Sequence, residues 1–343
     1  MYTEEMLESI KKVEAKRAEN AAMEPRRMTA EEKDQVLKEN HPDYREDQFD
    51  VLTVGPNKGE KAPKELVKML QSDSRLKDNL PDLSCPDYET DVLIIGGGGA
   101  GASAAIEADN AGEKVMIVTK LRIGDANTMM AEGGIQAADK PNDSPAQHFL
   151  DCYGGGHFAA DKELVYKLVT EAPEGIEWLQ DLGVEFDKDA EGNMITTHGG
   201  GTSRKRMHAA KDYSGAEIMR TLRDEVLNRK IPVVDFTSAI ELIMDDKGHC
   251  AGAVLMNMET GEILIAKAKV VIIATGGAGR MHYQGFPTSN HYGATADGLV
   301  LAYRVVLRCG NSIPAVSPDR CCIPGTDLRR TGYRKVRSLG ASW

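Results

Sequence analysis

The densest apolar signal in the chain begins at residue 91. Asp91-Val-Leu-Ile-Ile95 is an apolar run of strand length, followed by Gly96-Gly-Gly-Gly-Ala-Gly101 and a stretch of small residues from Ala102 to Ala111 that Gly112 stops. Lys114-Val-Met-Ile-Val-Thr119 is a second run of the same kind. Strand, glycine turn, helix and strand within about thirty residues predict a βαβ unit, whose parallel strands are covered on both faces. Further along, Leu164, Leu168, Ile176 and Leu179 recur at helical spacing and predict a helix over 162–182, which Pro173 breaks or kinks. Ile218, Leu222 and Val226 predict another over 213–229. From Ala239 the pattern becomes strand-like. Segments 240–244, 251–256 and 262–266, separated by turns at Asp246-Lys-Gly248 and Glu259-Thr-Gly261, predict a β-meander. Val270 to Thr275 then forms a separate, fully apolar strand ending in Gly276-Gly277.

Residues 1–88 differ in kind. They are charged and helix-leaning, with apolar patches at Leu37, Phe49 to Val54 and Leu66 to Leu70, and Pro81 and Pro86 mark their end. This extension is read either as a docking arm or as packing against the main domain.

Composition narrows the picture. The chain has 343 residues, 41% of them apolar, which suffices for one large core or two. A formal charge of -11 excludes the basic face that a nucleic-acid partner requires. No apolar run is long enough to span a membrane, and the charged N-terminus shows no secretory pattern. The six cysteines form no CxxC pair and no zinc-type spacing, so no metal site is assigned and free thiols in a reducing cytoplasm are expected.

Gly96, Gly98 and Gly101 fit G-x-G-x-x-G between a strand and a helix, the context in which that spacing signals dinucleotide binding. The turn brings bare backbone amides and a positive helix end to a pyrophosphate. The acid that holds an NAD ribose at the end of the second strand is replaced by Thr119-Lys120, which disfavours an NAD-dependent dehydrogenase. A late apolar strand ending in Ala274-Thr-Gly-Gly277 favours a flavin dinucleotide instead.

Four ordered segments carry a specific resemblance: Thr119 to Gly134 (TKLRIGDANTMMAEGG), His208-Ala-Ala-Lys-Asp-Tyr-Ser-Gly215, Ala274-Thr-Gly-Gly-Ala-Gly-Arg280 and Gly293-Ala-Thr-Ala-Asp-Gly298. Over residues 89 to about 304 the chain resembles the flavoprotein subunits of fumarate reductase and succinate dehydrogenase, and L-aspartate oxidase. The resemblance implies an α/β, Rossmann-like FAD-binding domain with a central parallel sheet and a β-meander, preceded by the mostly helical extension. It implies that Gly96, Gly98, Gly99, Ala100 and Gly101 cradle the FAD pyrophosphate and that Thr119 and Lys120 lie along the ribose. By the same resemblance Asn127, Thr128, Ala131, Gly133 and Gly134 lie against the flavin ring. Asp212, Ala274, Thr275, Gly276, Gly277 and Asp297 are expected to contact the cofactor too. Membrane-bound members attach FAD through a histidine at the position of Asn127. An amide cannot form that bond, so FAD is expected to be held non-covalently.

The basic run His198 to Arg206 is not a phosphate loop, because nothing places it between a strand and a helix with a Lys-Ser/Thr ending. His208, His282 and His291 lie near the cofactor by resemblance and are expected to be structural.

After Arg304 the resemblance fails: residues 306–343 hold a burst of arginines and cysteines and no histidine. Pro318-Asp-Arg-Cys-Cys-Ile-Pro324, back-translated and read one nucleotide out of register, permits His-Pro-Thr-Gly-Ala-Ala-Tyr, the family's substrate-histidine motif. Residues 306–334 are therefore expected to be a frame-shifted stretch between two compensating one-base errors. The capping and C-terminal domains of the family are expected to be missing, and with them the substrate-binding residues, so no catalytic residue is assigned. The expected function is an FAD-dependent oxidoreductase of the fumarate reductase/succinate dehydrogenase type. It would reduce fumarate or oxidise a dicarboxylate by hydride transfer at flavin N5, with an electron-donor protein as a possible partner, and this chain is expected to be truncated and inactive on substrate. The alternatives are an L-aspartate oxidase and an FAD-binding module with a docking or carrier role.

Overall fold

The computed structural model describes residues 2–22, 28–40, 46–55, 57–74, 76, 79, 81–156, 158, 160–277, 279–280 and 291–309. The chain divides into two compact units, one of residues 1–46 and one from Asp47 onward. The first carries helices α1 (Glu4–Ala15), α2 (Arg17–Ala22) and α3 (Ala30–Asn40). Thr3 caps α1 by accepting from the Met6 amide at 3.3 Å. Ahead of α3, Thr29 and Glu32 cap each other: the Glu32 amide donates to Thr29 Oγ1 at 3.2 Å and the Thr29 amide to Glu32 Oε2 at 2.8 Å.

The second unit opens with a hairpin of β1 (Phe49–Val51) and β2 (Lys61–Pro63), then α4 (Lys64–Leu70). Next come β3 (Tyr88–Ile95), α5 (Gly99–Asn110), β4 (Val115–Val118), the short β5 (Ile135–Gln136), α6 (Pro145–Gly155) and α7 (Lys162–Asp181). After β6 (Met207–His208), α8 (Ser214–Asn228) and β7 (Val233–Val234), the chain runs through β8 (Thr237–Met244), β9 (Cys250–Asn257) and β10 (Ile263–Ile273) to α9 (Asp297–Cys309).

Six strands form the central sheet in the order β7-β4-β3-β10-β9-β8. The first four run parallel; β9 is antiparallel to β10, and β8, antiparallel to β9, completes the meander. Alternation along β3 and β4 supplies two buried faces. Ile94 and Ile117 face α5, α7 and α8 through Ala105, Ile106, Ile176, Leu179, Met219 and Leu222. Leu93, Ile95, Met116 and Val118 face the meander and α9 through Leu242, Leu255, Leu301 and Val305. The fold is the α/β architecture with a mostly parallel sheet that the sequence implies.

Three details differ from the pattern reading. Segments 262–266 and 270–275 are one strand, β10, that continues through Lys267 and Lys269. Those lysines look like a break, but each pairs outward with an acid of β3: Lys267 Nζ with Glu89 at 2.7 Å and Lys269 Nζ with Asp91 at 2.7 Å. Pro173 lies inside α7 without ending it. Helix α9 continues to Cys309, past residue 306, and residues 310–343 lie outside the described residues.

Candidate functional site: a dinucleotide cradle

Two positions at the turn between β3 and α5 require glycine. Gly96 has φ +121°, and a Cβ there would stand 2.3 Å from the Ala274 carbonyl oxygen at the end of β10. A Cβ on Gly101 would stand 1.9 Å from the Gly96 carbonyl oxygen, so the helix presses directly on the turn. Gly98 is the N-cap, with no side chain to occupy the first amides of α5, and no acidic residue stands in the first turn to neutralise its positive end. Of these amides, that of Gly99 donates to Thr128 Oγ1 at 3.1 Å.

These amides border a cavity of about 740 Å³, a size typical of cofactor sites. Its wall contains Gly96, Gly98, Gly99, Ala100, Thr119, Lys120, Asn127, Thr128, Ala274, Thr275, Gly276 and Asp297 from the sequence assignment. Gly101 lies beneath the turn instead of on the wall. Gly277 is also outside it, and its carbonyl accepts from the Ala296 amide at 3.1 Å. Ala131, Gly133 and Gly134 are exposed, follow the turn that carries Asn127 and Thr128, and do not line the cavity. This segment is tied down by the Gly215 amide donating to the Ala131 carbonyl at 2.7 Å and by pairing of Ile135 with His208. Asp212 is exposed in the turn before α8 and does not line the cavity.

Polar contacts knit the wall together from distant segments. Lys120 Nζ donates to Thr295 Oγ1 at 2.7 Å and forms an ion pair with Asp297, while Thr295 Oγ1 donates to Asp297 Oδ1 at 3.0 Å. Asn127 Oδ1 accepts from the His291 amide at 2.7 Å. The Gly298 amide donates to Thr275 Oγ1 at 3.1 Å, which fixes the start of α9 against the end of β10. Gly97, Leu121, Asp125, Ala126, Gly293, Ala294 and Gly298 also line the cavity without having been assigned from sequence, and so does His291, which the resemblance had placed near the cofactor. The glycines on either side of Ala294 and Asp297 were a usable signal, as was the place of Gly97 in the glycine turn and of Leu121, Asp125 and Ala126 in the segment from Thr119 to Gly134. His282 lies outside the described residues.

The basic run 198–206 does something else. Arg206 is fully buried, bidentate to Asp143 (Nε at 2.6 Å and Nη2 at 2.9 Å) and paired with Asp151 at 2.5 Å. The Arg206 guanidinium holds the Asp143 carboxyl below the usual carboxylate range. Burial opposes ionisation of Asp151, but Arg206 and the Ser203 amide and hydroxyl outweigh it and hold that carboxyl well below its ordinary value. Burial pushes the nearby His148 imidazole down, towards the neutral form. His208, also fully buried, contacts Asp139 through Nε2 at 3.0 Å.

An uncapped helix N-terminus with no acid in its first turn, a glycine approach and an adjoining cavity fit a dinucleotide pyrophosphate. Comparison with known proteins agrees. Residues 91–317 match the family described as FAD binding domain. An L-aspartate oxidase of Streptomyces coelicolor is 37% identical over 218 residues, 62% of this chain and 37% of that protein. A fumarate reductase (CoM/CoB) subunit of Methanothermobacter marburgensis is 37% identical over 221 residues, 63% of this chain and 40% of that protein. The solved structure of Mycobacterium smegmatis Sdh1 in complex with UQ1 superposes with a TM-score of 0.58 at 36% identity, covering 64% of this chain and 38% of that one. The chain thus spans about two fifths of the length of the curated relatives it matches. It belongs to the FAD binding domain family, among the FAD-dependent oxidoreductases that include L-aspartate oxidase and the flavoproteins of fumarate reductase and succinate dehydrogenase.

Proposed function

We propose that this chain is the FAD-holding part of an oxidoreductase that moves a hydride between its flavin and a small dicarboxylate, in the direction of fumarate reduction. The observation that carries the reading is the glycine turn, whose amides open on a cavity walled by Lys120, Asn127 and Asp297. We assign the pyrophosphate to Gly96, Gly98, Gly99, Ala100 and Gly101, the ribose to Thr119 and Lys120, and the ring to Asn127, Thr128, Ala131, Gly133 and Gly134. Ala274 to Gly277, Asp297 and, from outside the cavity wall, Asp212 complete the assignment. When bound, the flavin supplies a hydride acceptor and donor at N5. The residues of this chain bind and orient it, and none of those described is assigned a catalytic role. Asn127 stands where the resemblance places the attaching histidine of membrane-bound members, and an amide cannot form that bond, so FAD is held non-covalently.

A second reading, L-aspartate oxidase, is favoured by the Streptomyces relative. A third, an FAD-binding module with a docking or carrier role and no dicarboxylate chemistry, draws on the charged helices α1 and α3 of the N-terminal extension. The proposed setting is the cytoplasm, with an electron-donor protein as partner. We also propose that residues 306–334 are frame-shifted; codons that cannot be read as the His-Pro-Thr-Gly motif would end that idea.

The test of function uses the purified full chain. Yellow protein whose colour passes to the supernatant on acid precipitation and bleaches with dithionite is expected, without reoxidation by fumarate, because no described residue is assigned to substrate. Colour that stays with the precipitate rejects non-covalent binding. Bleaching by aspartate moves the assignment to the second reading, and a colourless protein rejects all three; inertness to both acids fits the first and third readings, which a longer open reading frame downstream separates.

A further inference from the structure

We infer that residues 49–74, which lie outside the matched segment 91–317, are a positioning device for the cofactor cavity, acting on α9 through Tyr303. The inference rests on the FAD-binding reading above. Helix α9 touches the cavity with its first turn: Asp297 pairs with Lys120, and a Cβ on Gly298 would stand 2.2 Å from Thr275 Oγ1. Its next turns are gripped from the other side. Val300 and Tyr303 are buried in one apolar cluster with Leu52, Leu66 and Leu70 of the hairpin and α4.

Polar contacts set the depth and rotation of that grip. Tyr303, 1% exposed, donates its hydroxyl proton to the Val54 carbonyl at 2.7 Å. The phenol reaches that carbonyl because the next residue is Gly55, at φ +80°, where a Cβ would stand 2.4 Å from Tyr303 Oη. Arg304, one residue on, donates to Ser72 Oγ at 3.1 Å and to the Ser72 carbonyl at 3.3 Å. Tyr303 stands six residues from Asp297, about 9 Å along a helix. A helix held at Tyr303 and Arg304 therefore carries Asp297 to a fixed height on the cavity wall. Loosening the grip lets the first turn slide, and Lys120 and Asp297 no longer present one arrangement to the dinucleotide. Tyr303 is thus a positioning residue, acting through Asp297.

A double-mutant cycle on the full chain tests this, with FAD Kd read by flavin fluorescence and melting temperature read in parallel. Tyr303→Phe deletes one buried hydrogen bond and is expected to weaken FAD binding about fivefold. Asp297→Asn is expected to weaken it about tenfold. The double variant should bind no worse than Asp297→Asn alone, while the drop in melting temperature from Tyr303→Phe is the same in both backgrounds. Leu66→Ala, which leaves every polar contact in place, should reproduce the loss in Kd and the same non-additivity. Additive effects on Kd, or a Tyr303→Phe variant that melts lower yet binds FAD unchanged, overturn the inference. So does an Asp297→Asn variant of unchanged affinity. Wild-type chain that binds no FAD overturns the parent reading and this inference with it, whereas FAD binding with an additive cycle sinks this inference alone.

Discussion

Arg206 and Lys120 each face two oxygen-bearing partners brought from distant parts of the chain, yet the two clusters are built for different work. Arg206 meets Asp143 and Asp151 with its side chain 1% exposed and the acids at 1% and 13%. Lys120 meets Thr295 and Asp297 on a cavity wall, with Lys120 and Asp297 side chains 27% and 32% exposed. In the first case both charged partners are withdrawn from water and tightly paired, leaving no room for a ligand. In the second, the lysine spends two of its three donors on protein oxygens and keeps one beside open space. The same pairing chemistry makes a structural lock when buried and a receptive wall when half-exposed.

The strongest way to break that contrast is Arg206→Met. It strands two carboxylates in the interior and should cost about 3–5 kcal/mol of stability by denaturant titration. FAD affinity of the fraction that remains folded should change little; a larger effect on Kd than on stability would mean that the lock belongs to the cofactor site.

Acid should act on the lock in two stages. The His148 imidazole is pushed below its ordinary 6.5, so as pH falls through that value the unfolded chain takes up a proton that the folded one refuses, and stability declines. The Asp143 and Asp151 carboxyls lie below their ordinary 3.8, so their contribution is whole above that pH and disappears as pH falls towards their folded values. Melting temperature against pH should show a shallow decline from about 6.5 and a steep one below about 3.8, and His148→Phe should remove the first. A curve that keeps its upper limb in that variant assigns it elsewhere.

The smallest stability effect is expected from Lys120→Met. An exposed or half-exposed pair contributes about 1 kcal/mol or less, so melting should hardly move. FAD binding should nonetheless weaken about tenfold, the effect of one charge-assisted hydrogen bond. Equal affinity with lowered stability would make Lys120 a strut like Arg206.

How much of this was legible varies by region. The β3-α5-β4 unit was readable because its apolar runs, small helix residues and glycines are all local signals that agree. The division of β10 into two strands failed because Lys267 and Lys269 look like a turn until their partners on β3 are known. Pro173 read as a break or a kink; it does not end α7, which is packed past it through Ile176 and Leu179. Arg206 sat in a basic run that reads as a surface patch, and only the fold supplies the two acids that draw it inside.

Local pattern alone determined the glycine turn, the strand before it and the helix after it, because backbone sterics and burial period act over a few residues. Tertiary structure decided which side chains wall the cavity and what grips α9. Lys120 meets Thr295 and Asp297, and Tyr303 meets Val54, across separations of well over a hundred residues. Charge and hydrogen bonding work over a few ångströms, so these partnerships exist only once the whole sheet has brought their segments together.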